Sequence, residues 1–243
     1  MIRDDLRGMA GIMWKDLRAY YLKPPNISWG ILFPLAFVLA FAIRDGGNLA
    51  RLAPGLLGLT LLFAATSMEA IVITFERRIG ALERLMLAPM RLPALIAGKV
   101  LGGMAFGLVM GLIVLVGVLV AFGPAGVNGW LLAAAMLLGA ACFSCMGALV
   151  SVAVREVFKD QTLANVLRFP MMFLGGVFVP LAELPAWLQV VARLLPLTYC
   201  IEAIDLALHG GSPARAWLDL GVLALFTAGM FAIATRVLAR RLA

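Results

Sequence analysis

The chain has 243 residues, of which 63% are hydrophobic and 14% are charged, and its net charge is +7. Soluble domains are about 45–50% apolar, so this composition excludes an ordinary soluble protein and predicts a chain embedded in a bilayer. The positive charge does not indicate nucleic-acid binding, because Lys and Arg flank apolar stretches and form no basic patch with interleaved aromatic residues.

The N-terminal segment, residues 1–25, predicts an interfacial helix over 2–22. Apolar residues recur there at spacings of three and four, with basic residues among them. The apolar series is Ile2, Leu6, Met9, Met13, Leu17 and Tyr20, and the basic residues are Arg3, Arg7, Lys15 and Arg18. Such a helix lies on the membrane surface, although an ordinary packed helix is an alternative. The segment lacks the apolar region of a signal peptide, and Pro24-Pro25 end the helix.

Six apolar stretches are long enough to cross a bilayer, which takes about 20 residues in a helix. They cover residues 27–43, 54–75, 94–122, 129–154, 162–181 and 217–238. With the N-terminus in the cytoplasm, all but four of the 20 Lys and Arg residues fall in inner segments, as the positive-inside rule requires. The sequence therefore predicts an all-α integral membrane protein with six spans and both termini inside.

Glu69 and Arg168 are among the ionisable residues that lie within these spans. Glu69 is an acid in the second span, and an ionisable group there usually faces protein or water. It could line a substrate path, form a buried hydrogen bond at a subunit contact, or lie near enough to the inner surface to reach water. Arg168, in the fifth span, is expected to extend towards the cytoplasmic surface.

Small residues in the third and fourth spans predict close helix packing. Gly98, Gly102, Gly103, Gly107 and Gly111 contain three overlapping G-x-x-x-G pairs, which let helices approach each other. The C-x-x-C pair, Cys142 and Cys145, favours a packing face over redox or metal chemistry. With Cys200 the cysteine count is odd, which argues against a disulfide framework. The single His209 predicts no metal site.

Residues 76–89 predict a short cytoplasmic helix with a charged face and an apolar face. Glu76 and Glu83, seven residues apart, point nearly the same way in a helix. Arg77 and Arg84 form a row beside them, and the opposite side carries Ile79, Leu82, Leu85 and Met86. The apolar side could sit in a groove of a soluble partner while the charges set the orientation, or the helix could lie on lipid headgroups.

Residues 182–216 predict a long outer segment that Pro180, Pro185 and Pro196 break into short helices. The apolar helix between Pro185 and Pro196 is too short to cross a bilayer. We expect it to dip into the outer leaflet or to cap a dimer, and a purely structural plug is one interpretation.

Two motifs resemble signatures of the ABC-2 type transporter permease family. The first is Glu-Arg-Arg-x-Gly-x-Leu-Glu-Arg-Leu at 76–85, followed by Ala-Pro and by Gly98-Lys99. The second begins at Phe169-Pro170 and continues through Gly175-Gly176-Val-Phe-Val-Pro180 to Leu195-Pro-Leu-Thr-Tyr199. The resemblance extends over nearly the whole chain. Ala81 stands where the family often has Thr, and Arg78 lies where an acidic residue is often found.

The resemblance implies roles for both segments. In the family, the segment after the second span is a coupling helix that docks on an ATPase. This implies docking residues Glu76, Arg77, Arg78, Gly80, Leu82, Glu83, Arg84 and Leu85. For the outer segment, the resemblance implies an outer gate. The residues predicted for the substrate path or this gate are Glu69, Phe178, Pro180, Trp187, Tyr199 and Glu202.

The chain lacks the G-x-x-x-x-G-K-[ST] loop that binds nucleotide phosphates. Gly98-Lys99 matches its Gly-Lys pair, but Pro93 and Val100 replace the first glycine and the hydroxyl residue. We expect no catalytic residues and no cofactor in this chain, with ATP and Mg bound by a separate ATPase.

The resemblance then implies one membrane half of an exporter in the cytoplasmic membrane. Two copies of this chain, or this chain and a related permease, would bind two ATPase subunits. The apolar spans suit a lipid-linked or amphipathic substrate or drug. The alternatives are a passive channel or membrane assembly factor, or a membrane-embedded enzyme.

Overall fold

A computed structural model describes residues 2–21, 36, 49–86, 90–123, 126–154 and 157–242, and most of these residues are helical. The first predicted span, 27–43, lies outside the described residues except for Ala36. In chain order the elements are α1 (Ile2–Asp16) with a π-helical turn (Leu17–Tyr21), α2 (Leu49–Arg78), α3 (Ala81–Met86), α4 (Leu92–Phe122), α5 (Gly129–Ala153), α6 (Val157–Leu174), a 3-10 turn (Leu181–Glu183), α7 (Ala186–Ala192), α8 (Pro196–His209) and α9 (Pro213–Leu242).

Among the described residues, four helices are long and apolar enough to cross a membrane, in the stretches Arg51–Arg78, Leu92–Val120, Gly129–Ala153 and Pro213–Arg240. They correspond to the second, third, fourth and sixth predicted spans, and the first and last of the four are longer than predicted. The chain is therefore a multi-pass membrane protein.

The fifth predicted span, 162–181, was placed too far along the chain. α6 ends at Leu174, and its apolar part is the shorter stretch Thr162–Leu174. Gly175 and Gly176 follow, and Gly176 has a φ of 87°, a backbone conformation that ends helices and favours glycine. The apolar residues after Leu174 misled the prediction because hydropathy does not register a helix stop.

α2 lies at the centre of the fold, in contact with α4, α5, α6 and α8. Most of its described side chains, Leu57 and Leu62 among them, are buried together with Phe143 of α5 and Leu197 of α8, whereas Phe75 is 47% exposed. α2 is therefore held mainly by protein contacts.

The glycines of α4 confirm the predicted packing face. A Cβ atom added at Gly107 would lie 2.9 Å from the Cβ atom of Ala65, and one at Gly111 would lie 2.9 Å from Leu61. α2 and α4 are therefore so close that only the hydrogen side chain of glycine fits at these two positions. The predicted C-x-x-C packing face is confirmed too, because Cys142 and Cys145 are buried free thiols.

The outer segment is broken into short helices as predicted. Pro180 precedes the 3-10 turn, Pro185 precedes α7 and Pro196 is the first residue of α8. Proline fits these positions because the first residues of a helix need no N–H partner within it. Three breaks in seventeen residues keep the segment from forming one helix.

α1 exists where it was predicted, but its buried stripe differs from the predicted one. Ile12 and Asp16 are the buried residues, whereas Leu6 and Trp14 are 59% and 65% exposed. α1 packs along α4, and a Cβ atom at Gly98 would lie 3.1 Å from the Cα atom of Met9. One face of α1 is therefore fixed to the protein, and the face with Leu6 and Trp14 is left for the membrane surface.

Candidate functional site

The predicted helix over 76–89 is two helices with a sharp turn between them. α2 continues to Arg78, and α3 begins only at Ala81. Gly80, with a φ of 67°, donates its N–H to the carbonyl of Arg77 at 3.2 Å. A glycine in this conformation ends a helix, so Glu76 and Glu83 are not on a common helical face. The prediction of a single charged row was wrong because periodicity was extended across a helix stop.

Glu76 lies inside the protein in a cluster of four charged side chains. Its carboxylate pairs with Lys15, and its Oε2 lies 2.5 Å from Nζ of Lys99. The Lys99 Nζ atom also lies 3.0 Å from Oδ2 of Asp16, and Lys15 Nζ lies 3.0 Å from Oδ1 of Asp16. The side chains of Asp16, Glu76 and Lys99 have no exposed surface. We call these four residues the buried ion cluster.

Two positive and two negative charges make the buried ion cluster neutral. Burial raises the pKa of Asp16, an effect that the neighbouring Lys99 charge opposes. Burial also disfavours the charge of Lys15, but the hydrogen bond and the charge of Glu76 raise the pKa of Lys15 overall. Buried charges are tolerated only when they are paired with good geometry. Removing a single member would therefore leave an uncompensated charge in the cluster.

Arg77 also contacts the protein itself, at the end of α5. Its guanidinium donates to the carbonyl of Val154 at 2.6 Å and to that of Ser151 at 3.0 Å. These carbonyls end α5, where a cation is favourable because the helix has no further N–H partners for them. Arg77 therefore joins the ends of α2 and α5.

The predicted docking residues that face outward are fewer than expected. Arg78 and Arg84 are exposed, whereas Gly80 and Leu85 are half-buried. Ile79, an apolar residue in the turn, is 51% exposed. The side chains of Leu82 and Glu83 lie outside the described residues. An apolar side chain between two arginines is thus the described outward surface of this segment.

Glu69 is fully buried where α2, α4 and α5 meet. Its Oε1 atom accepts the N–H of Gly103 at 2.9 Å, and Ser144 of α5 donates to the carbonyl of Val100 at 2.8 Å beside it. Of the three predicted environments, contact with water at the inner surface is wrong. The geometry is that of a polar contact between helices of one chain.

This contact gives a test by substitution. We expect Glu69→Leu to lower the melting temperature of the detergent-solubilised protein, because the hydrogen bond that Glu69 accepts from Gly103 is lost, at a cost of about 0.5–1.5 kcal/mol. Glu69→Gln keeps an amide oxygen that can accept the same bond, and should melt close to wild type. Equal melting temperatures for the Leu and Gln variants would show that the hydrogen bond contributes nothing.

Arg168 does not extend to the cytoplasmic surface as predicted. It is 2% exposed, donates to Oδ1 of Asn165 at 3.2 Å, and places its guanidinium carbon 5.6 Å from the centre of the Phe63 ring. A cation over an aromatic ring is attracted to it. The snorkelling expectation failed because a protein contact from α2 lay within reach of the side chain.

The predicted outer-gate residues are only partly brought together. Pro180 and Glu202 line one cavity of about 380 Å³, which Arg51 and Asp205 also line. Phe178 instead packs against Phe173 with ring centres 5.8 Å apart.

The remaining predicted gate residues lie outside this cavity. The hydroxyl of Tyr199 donates to the carbonyl of Arg193 at 2.7 Å, and Trp187 of α7 is 68% exposed. Arg215 donates to both carboxylate oxygens of Glu202, at 3.0 and 3.1 Å. The Glu202–Arg215 pair thus joins α8 to α9, and the Tyr199 bond joins α8 to the end of α7. α7 offers an apolar outer surface at Trp187.

Three cluster members, Lys15, Asp16 and Lys99, were not recognised as a group from the sequence. A signal existed, because Lys99 stands in the apolar third span and an intramembrane ion needs a partner. The sequence could not say which of several acids supplies that partner.

The fold and this site define a class of protein: a multi-pass helical chain whose long spans are joined on one side by a short exposed helix. Residues 9–208 match the family model for the ABC-2 type transporter. The chain belongs to that family, and it is a transporter membrane subunit.

Individual relatives agree with this assignment. The chain is 28% identical to the inner membrane transport permease YadH of Escherichia coli over 90% of this chain and 87% of the relative. It is 24% identical to the daunorubicin resistance ABC transporter permease protein DrrB1 of Streptomyces coeruleorubidus, over 91% and 81%. Nodulation protein J of Rhizobium leguminosarum is 37% identical over 30% of this chain and 28% of the relative.

Proposed function

We propose that this chain is the membrane half of an ATP-driven exporter and that α3 with its flanking turn is the surface on which a separate ATPase docks. The observation that carries the proposal is the position of α3. It is six residues long, follows directly from the central helix α2, and has exposed Arg78, Ile79 and Arg84 around it. A small apolar contact flanked by charges suits a groove in a soluble partner.

The proposed assembly contains two membrane subunits and two ATPases. Two copies of this chain, or one copy and a related permease, would form the membrane part in the cytoplasmic membrane, with the N- and C-termini inside. ATP and Mg would bind to the ATPases. The name of one relative as an ABC transporter permease supports an ATPase partner for this chain too.

Coupling in this proposal is mechanical. Closure of the ATPases on ATP moves α3, and α2 passes the motion to the outer end because its packing against α4, α5, α6 and α8 limits its bending. At that end Arg51 of α2 pairs with Glu183 of the 3-10 turn, with Nη2 and Oε1 2.7 Å apart. The outer segment with Phe178, Pro180, Trp187, Tyr199 and Glu202 would open and close as the outer gate.

The proposed cargo is an amphipathic or lipid-linked compound or a drug, moved outward. Apolar side chains dominate the exposed surface of the spans, and α6 exposes Phe169 and Phe173. Such surfaces favour a substrate that partitions into the bilayer over a small hydrophilic ion. One relative is named for daunorubicin resistance, which supports a drug among the candidates.

A pull-down tests the proposed function. The tagged chain is extracted from its native membrane in a mild detergent, and its partners are identified by mass and assayed for ATP hydrolysis. We expect one ATPase in equal amount to the tagged chain, and none from membranes that carry an untagged copy. A monodisperse preparation without any ATPase would contradict the exporter and favour a channel or assembly factor.

A further inference from the structure

α1 contacts the chain on both sides of the docking segment, which we define as residues 79–86. On the far side, the carboxylate of Asp5 accepts the backbone N–H of Arg91 at 3.1 Å, and the Arg91 side chain approaches the same carboxylate at 3.9 Å. Arg91 is the residue that precedes α4. One end of α1 is therefore attached to the point where the chain enters the third span.

The other end of α1 is attached to the near side of the docking segment through the buried ion cluster. Lys15 and Asp16 end α1, while Glu76 lies in the last turn of α2, three residues before Ile79. Lys99 of α4 completes the cluster and bonds to Asp16. Three helices thus share one set of charges.

Between these two attachments α1 and α4 are in direct contact. A Cβ atom at Gly98 of α4 would lie 3.2 Å from the Cβ atom of Ile12 and 3.1 Å from the Cα atom of Met9. A Cβ atom at Gly8 of α1 would lie 2.8 Å from the terminal methyl of Met90, just before α4. Because no gap exists at these points, α1 cannot move relative to α4 without breaking the packing.

We propose that α1 is a strap that holds the two stems of the docking segment at a fixed separation. Asp5, Lys15, Asp16 and Lys99 are then positioning residues for energy coupling. The inference rests on the proposed function of the docking segment. It adds that the ATPase pushes on a braced unit of α1, α2 and α4.

The brace is needed because α3 alone is weak. A six-residue helix has no stability of its own in water, and a glycine turn joins it to α2. A force on α3 would be lost in bending at Gly80 if the stems could move apart. With the stems strapped, the same force moves α2 and α4 together.

Charge pairs suit this role better than further apolar contacts. Apolar side chains pack in several registers, whereas two lysines and two carboxylates, of which only Lys15 reaches the surface, are satisfied in few arrangements. The buried ion cluster therefore fixes the register of α1 against both spans.

The experiment combines single and double substitutions with a distance measurement. Spin labels are placed on the exposed faces of α1 and α3 by Ala10→Cys and Arg84→Cys, since the native thiols Cys142, Cys145 and Cys200 are buried. We expect a narrow distance distribution in the parent, and a distribution at least twice as wide in both Asp16→Asn and Lys99→Met, each of which leaves one unbalanced buried charge.

The double variant Asp16→Asn/Lys99→Met supplies the rescue. It removes one charge of each sign and leaves the Lys15–Glu76 pair, so its distribution should return towards the parent width. In protein without spin labels, the single variants should lose at least tenfold in transport per ATP hydrolysed, and the double variant should recover to within about threefold of the parent. If the substitutions only damaged the fold, the double variant would lose more transport per ATP hydrolysed than either single variant.

The milder variant Asp5→Ala covers the case in which the buried variants fail to fold. Asp5 is 17% exposed, so its loss removes the bond to Arg91 without burying a charge. We expect the distance distribution to widen in Asp5→Ala. It should keep the parent width in Arg7→Ala, which changes an exposed position on the same helix. Parent-like widths in Asp5→Ala and in every single cluster variant that folds would overturn the strap.

The distance measurement needs no ATPase. If the pull-down finds no partner, the width of the distribution still tests the strap. If the widths are unchanged while an ATPase binds, the strap fails and the docking segment stands.

Discussion

Arg84→Glu and Glu83→Lys should each abolish ATP-driven transport while the chain remains inserted and folded. Both substitutions reverse a charge on α3, and like charges facing each other across an interface cost several kcal/mol. A loss of about 2–5 kcal/mol lowers affinity between about 30-fold and a few thousand-fold. The measurement is ATPase binding to the purified chain in nanodiscs, together with transport in vesicles.

The matched control for Arg84→Glu is Arg240→Glu. Arg240 is exposed near the end of α9 and carries the same charge, but it is not part of the docking segment. The Arg240→Glu variant should bind the ATPase and transport as the parent does. Parent-like ATPase stimulation and export in Glu83→Lys would remove the docking assignment.

Gly147→Ala should destabilise the protein by about 1–3 kcal/mol, the usual cost of overpacking. The added Cβ atom would lie 2.7 Å from the carbonyl oxygen and 3.1 Å from the Cα atom of Thr66. Both atoms belong to the backbone of α2, which cannot rotate away as a side chain can. α2 and α5 must therefore separate, and the melting temperature in detergent should fall by several degrees.

Gly117→Ala is the control for this substitution. Gly117 is in the interior of α4, and a Cβ atom there would meet nothing within 4 Å. Alanine favours a helix over glycine by about 1 kcal/mol, so this variant should melt at or above the parent temperature. If both alanine variants melted at the same temperature, the close contact of α5 with α2 at Gly147 would not explain a change in stability.

Long, uniformly apolar helices were the part of the fold that the sequence predicted well. α4 and α5 were predicted within two residues at each end, because apolar runs of this length have no other structure in a bilayer. The family was also recognised, since its motifs are patterns of residues along the chain that can be identified without knowing which residues are in contact. The first predicted span and the side chains of Leu82 and Glu83 remain predictions.

Long-range pairing could not be predicted from the sequence. Glu76 was placed on an exposed face by periodicity, yet its partners Lys15 and Lys99 are 61 residues before it and 23 after it in the sequence. Arg168 shows the same limit, because the sequence does not reveal that Phe63 lies beside it. Helical periodicity gives the direction of a side chain, whereas its environment depends on which helices pack together.

The length of α2 has a consequence for how the protein sits in membranes of different thickness. Its 30 residues extend about 45 Å at 1.5 Å per residue, whereas the hydrocarbon layer is about 30 Å thick. Some 15 Å of helix is thus available to the headgroup layers, divided between the Arg51 end and the Glu76 end. A change of a few ångströms in bilayer thickness alters which turns of α2 lie among headgroups, and it requires no tilt of a helix that packs against four others.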